Sequence, residues 1–464
     1  MTLSSPMIAA APEFEVCNPF SGARIGQLPE TSDSEILATV LRARQAAAAF
    51  RASMPYERRA LLDRLADLVV RDREILAQMI CAEMGKTITE ARNESRRAVN
   101  TLRLSGEAVS FLDGEVLNCA VIEGGVDRHA AITYVPTGTV AAITPFNYPL
   151  NLLCHKLGPA IAAGNAVVVK PSPKAPFAAE HLVQLTQEAG FPRDLVQIVH
   201  GGAAAATALA CAPIDLLSFT GGPVAGLALK RASGLVRCLM ELGGNDPLFV
   251  LPDADLEAAA ATAIGHRYEI AGQSCAAVKK LYVHETVRDA FTEILLNKVA
   301  QHRFGDPSSD DTQMGPVIDA PAAQEIMARL DEAKLLGARL LTGGTRDGNL
   351  IAPTVIDDVP LDAKLIADET FGPVLAIRPF RNLDTAMAEI NSSDFGLQAG
   401  VFSNDHAAIR KLSRGLQVGG VMINEGPDFR AEHVPFGGIK RSGLGREGVR
   451  IALREMSETR VVID

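Results

Sequence analysis

Cys275 lies in Gly272-Gln273-Ser274-Cys275-Ala276, a run of small residues between a helical stretch and the next strand. A thiol there becomes a nucleophile once something removes its proton, because the thiolate is the attacking form. Most cysteines of a long reduced chain are instead inert core residues, so the surroundings must decide. Thirty-four residues earlier stands Glu241, in Glu241-Leu242-Gly243-Gly244-Asn245 at the end of an otherwise apolar run. It reads either as a solvated acid or as a general base. Asn147, in Pro145-Phe146-Asn147-Tyr148-Pro149, follows another apolar strand. It either caps the helix beginning at Leu150 or offers its amide to a reacting oxygen. Lys170 ends a third strand, as solvated lysine or as ligand contact. In Ser218-Phe219-Thr220-Gly221-Gly222-Pro223-Val224-Ala225-Gly226, Gly221 and Gly226 stand five residues apart where a helix should start. Such glycines suit a tight turn, or a helix N-terminus that receives a pyrophosphate. They are not the three-glycine dinucleotide fingerprint.

These residues need a scaffold that gathers strand ends. From Ser34 to about Leu112 apolar residues recur three and four apart, which predicts several amphipathic helices. Residues 119–122 and 130–135 flank Gly124-Gly125 and read as a hairpin. Short β-branched runs then alternate with helical stretches, with strands expected at 139–144, 166–170, 195–200, 214–219 and 235–241. A second alternation follows Pro247, with strands at 248–251, 280–283, 374–377, 400–402 and 421–424. Alternation of this kind predicts parallel, doubly wound sheets whose ligands gather at the carboxyl ends of the strands. The last β-like run, 458–463, has no partner in its own neighbourhood and is expected to pair with another subunit.

Composition narrows the work such a scaffold can do. The 464 residues suggest two or three domains, and 45 Lys+Arg against 55 Asp+Glu give a net charge of −10, which disfavours nucleic acid. No apolar run reaches the roughly 18 residues of a bilayer span. The N-terminal stretch before Glu13 has no basic lead-in and is too short for a signal peptide, so a cytoplasmic address is expected. Seven scattered cysteines resemble neither a disulfide framework nor a zinc site, and most are expected to be buried and inert. No metal site is expected.

Asn147 in its Pro-Phe-Asn-Tyr-Pro setting, Lys170-Pro171-Ser172, Phe219-Thr220-Gly221, Glu241-Leu242-Gly243-Gly244-Asn245, Gly272-Gln273-Ser274-Cys275, Glu369-Thr370-Phe371-Gly372-Pro373 and Pro435-Phe436-Gly437-Gly438 occur in one order across the chain. Together they resemble the aldehyde dehydrogenase superfamily, and the segment Phe429 to Glu447, through Lys440-Arg441-Ser442-Gly443, resembles its lactaldehyde and non-phosphorylating glyceraldehyde-phosphate branch, which implies a short polar aldehyde. The resemblance implies an α/β aldehyde dehydrogenase fold with a Rossmann-like cofactor domain, an α/β catalytic domain and a small β oligomerisation arm. It places them at residues 1–117 and 137–242, 243–430, and 118–136 with 431–464 respectively. It implies NAD(P)-dependent oxidation of an aldehyde to its acid, in which Cys275 attacks the carbonyl, Asn147 and the Cys275 backbone N–H hold the oxyanion, and Glu241 activates water. NADP or NAD would be held by Pro145, Lys170, Lys174, Phe219, Gly221, Gly226, Glu369 and Phe371, and the enzyme would be a dimer or tetramer.

Two departures bear on specificity. Many NAD-preferring members carry Glu three residues after the lysine, where this chain has Pro173 followed by Lys174. Loss of that carboxylate and gain of a cation lean towards NADP. Gly222 stands where a serine is usual. Tyr148 and Ser274 flank the catalytic positions in place of the Arg or His of phosphate-binding members, while Arg430 and His433 are candidates to reach a substrate tail unless they pair with Asp428 or Glu432. A short polar aldehyde is therefore expected. Three other functions compete: CoA acylation, whose enzymes generally lack the glutamate, a non-catalytic scaffold, and a Cys154–His155 hydrolase. The last is disfavoured because adjacent helical residues point about 100° apart.

Overall fold

Residues Thr139–Ile143, Ala166–Lys170 and Leu216–Thr220 are buried along their whole length, as their Val-, Ala- and Leu-rich text requires of strands covered on both faces. The structure, a computed structural model, describes residues 12–464, so the segment that carries the localisation expectation lies largely outside the described residues. The three strands form the middle of a six-stranded sheet ordered 443–444, 237–241, 216–220, 139–143, 166–170, 196–198. All neighbours are parallel except the short Gly443–Leu444, which runs antiparallel to Arg237–Glu241. The chain moves outward from 139–143 to 166–170 and 196–198, then returns to 216–220 on the other side. That reversal is the switch point at which open α/β sheets bind ligands.

A second sheet of seven strands is ordered 339–342, 354–357, 374–380, 280–284, 247–250, 398–402, 420–423. Only its edge strand Arg339–Thr342 is antiparallel. The predicted double α/β alternation is therefore present, with boundaries moved by a few residues. Each sheet has its own core: Val140, Leu153, Val168 and Leu217 lie in the first, and Leu248, Leu281, Val355 and Leu375 in the second.

The helical text before residue 112 divides into Asp33–Phe50, Pro55–Met84 and Ile88–Ala108. Ser32 with Glu35 and Thr87 with Glu90 form reciprocal capping boxes at the starts of the first and third. Among the described residues, no helix is long and apolar enough to cross a membrane.

Four expectations are corrected. Cys119–Val121 is a 3-10 turn, and the hairpin strand is Glu115–Asn118, antiparallel to His129–Pro136. Asn118 starts that turn by accepting the Ala120 N–H, a local bond that outcompetes extended pairing. The C-terminal strand Ser457–Ile463 pairs antiparallel with His129–Pro136 of its own chain, completing a three-stranded sheet. Nor does 431–464 form the arm as a unit: Gly443–Leu444 joins the first sheet, and Val449, Leu453 and Met456 pack in its core. The cysteines also differ from expectation, because only Cys81, Cys154 and Cys238 are buried while Cys17 and Cys211 are exposed, all seven being free.

Candidate active site

The carboxyl ends of the first sheet open into a cleft of about 530 Å³ that reaches the loops entering the second. Asn147, Glu241 and Cys275 all line it, and so do Pro145, Tyr148, Lys170, Phe219, Gly221, Ser274, Glu369, Phe371 and Arg430. Residues spread over nearly 290 positions of sequence are thus brought to one cavity.

The backbone before Cys275 is wound unusually. After the helix Leu256–Tyr268, Ile270 (φ 44°) and Ala271 (φ 54°) adopt left-handed geometry, followed by Gly272. Two non-glycine residues in this region cost about 1–3 kcal/mol each, and such strain is stable only when neighbours over-determine it. The neighbours do so: the Ile270 N–H donates to Glu90 at 2.8 Å, and Arg267 donates to the carbonyls of Thr370 and Val374. Gln273 accepts from Ile318 N–H at 2.8 Å and donates to the Ile270 carbonyl at 2.9 Å.

Asn147 Nδ2 donates one hydrogen to the Gln273 carbonyl at 2.8 Å, and its Oδ1 accepts the Tyr148 N–H. The amide plane is thereby fixed, with the second N–H left for a ligand. Glu94 fastens the loop from beneath: its Oε1 accepts the N–H groups of Leu150 and Asn151, and its Oε2 receives buried Lys86 Nζ at 2.6 Å. Lys86 Nζ also lies 3.7 Å from the centre of the Tyr148 ring.

Burial pushes the Cys275 thiol well up, with Asp428 adding to the effect and Lys279 opposing it. Lys279 Nζ donates to the carbonyls of Ser274 and Cys275. The resting sulfur is therefore a thiol and needs a base. Glu241 has the character of one: burial and the neighbouring Glu447 raise its carboxyl well above the ordinary range, and its Oε2 is buried without a partner among the described residues. A side chain at Gly437 would put its Cβ 2.5 Å from Glu241 Oε1, so glycine is needed there to leave room for the acid. Glu447 takes the surrounding cations instead, receiving Lys156 Nζ at 2.7 Å and Arg430 Nη2 at 2.9 Å, and these hold its carboxyl below the usual range.

The dinucleotide end of the cleft fits such a ligand. Gly222 caps the helix Pro223–Ala232 and has open space around it, leaving the helix N-terminus accessible from the cleft. Gly221 lines the cleft, whereas Gly226 does not: it lies inside the helix against Leu242, where its missing side chain lets helix and strand approach. Lys170 Nζ donates to the carbonyls of Pro171 and Gly201, and burial lowers its pKa to about 8. Glu369 accepts the Gly244 N–H at 3.0 Å, and a Cβ at Gly243 would lie 2.0 Å from its Oε2. Phe371 stands edge-on to Phe146 with ring centres 6.1 Å apart.

Not every expected residue arrives. Lys174 pairs with Asp319 on the surface and is outside the cleft lining, although Pro173 is part of it. His433 is exposed and also outside; its neighbour Glu432 turns inward to bind Arg97 and His155. Arg430 pairs with neither Asp428 nor Glu432 but with Glu447, and stacks 4.4 Å over Phe436. Cys154 and His155 are both buried away from the cleft, and burial raises the thiol and lowers the imidazole to about 4, the opposite of a reactive dyad. Arg97 and Asp428, both lining the cleft, were not anticipated as site residues.

Residues 8–462 match the Aldehyde dehydrogenase family. The chain belongs to the aldehyde dehydrogenase family. It is 38% identical over 451 residues to the sulfoacetaldehyde dehydrogenase of Neptuniibacter caesariensis, covering 97% of this chain and 99% of that protein. It is 37% identical to a lactaldehyde dehydrogenase of Methanococcus maripaludis, over 88% of each chain. The crystal structure of the glyceraldehyde-3-phosphate dehydrogenase GapN from Methanocaldococcus jannaschii, complexed with NADP, superposes with a TM-score of 0.93 at 34% identity, covering 97% of this chain and 98% of that one. The fold, the family and its branch agree with the motifs read from the sequence. This aldehyde dehydrogenase is an oxidoreductase that uses NAD or NADP, and neither CoA acylation nor a scaffold role is favoured.

Proposed function

We propose that Cys275, Asn147 and Glu241 oxidise a short polar aldehyde to its carboxylic acid through a cysteine thioester. The observation that carries this reading is the meeting, in one cleft, of a half-buried thiol, a carboxylate of raised pKa with one oxygen unpartnered and an amide with one uncommitted N–H. Glu241 takes the thiol proton, and the sulfur attacks the aldehyde carbon. The second Asn147 N–H and the Cys275 backbone N–H receive the developing oxyanion, a contact whose loss typically costs about 10²–10³ in rate. Pro145, Lys170, Phe219, Gly221, Glu369 and Phe371 would hold a nicotinamide dinucleotide, which when bound would supply the hydride acceptor that oxidation of the thiohemiacetal requires. Glu241 then deprotonates the water that releases the acid, and its raised basicity suits both tasks.

The substrate end is lined by Arg97, Tyr148, Ser274, Asp428 and Arg430. Both arginines are engaged by carboxylates, which supports a short polar tail over a tightly clamped phosphate. The relatives' substrates, sulfoacetaldehyde and lactaldehyde by name, are of this size. NADP is favoured by the uncharged Pro173 in the cleft, without help from Lys174. Self-association is proposed through the three-stranded sheet, whose two outer strands expose Val116, Leu117, Val461, Val462 and Ile463. A cytoplasmic address and the division into cofactor, catalytic and arm regions complete the reading.

The test is a set of initial rates with C2 to C8 aldehydes, with and without a terminal anion, against NAD and NADP. Acid and reduced cofactor in equal amounts are expected, with turnover abolished in Cys275→Ala. Formation of an acyl-CoA in place of the acid, or an active Cys275→Ala variant, would refute it.

A further inference from the structure

The peptide unit between Ser274 and Cys275 has two polar ends. Its N–H is the Cys275 donor to the oxyanion, and it has no backbone hydrogen-bond partner among the described residues. Its carbonyl, at the opposite end, accepts from Lys279 Nζ at 2.9 Å, and the same ammonium reaches the Cys275 carbonyl at 2.5 Å. Lys279 is buried and anchored by its own backbone: its N–H donates to the Asp246 carbonyl at 3.0 Å, immediately before the strand Lys280–His284. The third neighbour of Nζ is Glu369 Oε1 at 3.7 Å. Two carbonyls and a carboxylate call for three donors, which an ammonium has and a neutral amine lacks. Burial lowers the Lys279 pKa, while Glu369 and Asp246 act in the opposite sense.

A cation bound at a peptide oxygen draws electron density from the nitrogen, so the N–H opposite becomes a stronger donor; hydrogen bonds in a chain polarise one another in this way. Peptide planarity adds a second effect, since fixing the oxygen fixes the direction of the N–H. An oxyanion site works because its donors are aimed before the charge develops. We propose that Lys279 is a positioning residue of the oxyanion site, which aims and polarises the Cys275 N–H by gripping the Ser274 carbonyl behind it. This rests on the reading of Cys275 as nucleophile and of its N–H as an oxyanion donor.

Because Nζ also faces Glu369, at the dinucleotide end of the cleft, the test is run without dinucleotide. Cys275 is acetylated by p-nitrophenyl acetate, which passes through an oxyanion and releases p-nitrophenolate. It is separately alkylated by iodoacetamide, a direct displacement of iodide that forms no oxyanion. Both reactions need the same ionised sulfur, so the ratio of their rates, read on the Cys275 peptide by mass spectrometry, cancels the thiolate fraction. Lys279→Met should lower the acetylation-to-alkylation ratio by about 10-fold, less than the 10²–10³ for loss of a whole donor because the N–H remains. Lys279→Arg, which keeps the cation, should recover most of the ratio. Lys279→Gln, polar but uncharged, should fall with the methionine variant, and it decides the matter if that variant shows no cooperative unfolding in calorimetry. A ratio unchanged in the uncharged variants, or an arginine variant as low as they are, overturns the proposal. Asn147→Ala should lower the ratio through the other donor; if it leaves the ratio unmoved, the oxyanion reading itself fails rather than the role of Lys279.

Discussion

Replacing Glu94 by Gln isolates the support beneath the Asn147 loop. Glu94 and Lys86 are fully buried and meet at 2.6 Å, while Glu94 Oε1 accepts the Leu150 and Asn151 N–H groups at 2.9 and 3.0 Å. The glutamine keeps an oxygen for those two donors but leaves the Lys86 ammonium without its counterion. Removing one partner of a buried pair costs about 3–5 kcal/mol, more than the pair itself contributes. At roughly 2–4 °C per kcal/mol for a domain of 150–250 residues, the melting temperature should fall by about 6–20 °C. The kinetic effect should appear in kcat, because Asn147 is three residues from Leu150, with an upper bound of about 10²–10³ set by complete loss of one oxyanion donor. Calorimetry and initial rates measure the two effects separately. The double variant Lys86→Met/Glu94→Gln removes both charges and should recover most of the lost stability. If Glu94→Gln melts within about 2 °C of wild type, equivalent to less than 1 kcal/mol, and turns over normally, the pair does not hold the loop.

Cys275→Ala should retain the fold and bind NADPH as wild type does in titration calorimetry, yet lose turnover by several orders of magnitude. Glu241→Gln should lose both the pre-steady-state burst of reduced cofactor and the steady-state rate in stopped-flow measurements, since neither the Cys275 thiol nor the hydrolytic water then has its base. In the wild type, acid release should rise with pH across a midpoint above the ordinary carboxylate range, because only ionised Glu241 is a base and burial has raised its pKa; the variant should be flat. Lys170 is cationic below about pH 8, so NADP affinity measured by calorimetry should weaken as pH rises through that value and lose this dependence in Lys170→Met. Truncation after Met456 removes the strand Ser457–Ile463, and sedimentation should then show a smaller assembly.

Much of the scaffold was legible because parallel strands buried on both faces leave continuous apolar runs, as in 139–143 and 166–170. The partner of Ser457–Ile463 was not, since its register depends on a strand more than 300 residues earlier. Residues that end apolar strands, Glu241 and Lys170, announced themselves by contrast. Arg97, Glu94 and Asp428 did not, because their meaning depends on which loops pack against them. A signal existed nonetheless: Glu90, Glu94 and Arg97 recur at four and three on the inward side of the helix Ile88–Ala108. Each fastens a different part of the site, Ile270, the Asn147 loop and Glu432. In turn, His433 misled because exposure at one position says nothing of its neighbour.

A nucleophile stored with its proton on is also hard to poison. Peroxides and alkylating agents react with the ionised sulfur, and Cys275 rests in a buried setting beside Asp428 that disfavours this form. Cys275 is therefore expected to react more slowly with peroxide or iodoacetamide than a free cysteine at the same pH, a difference that the rate of thiol labelling measures.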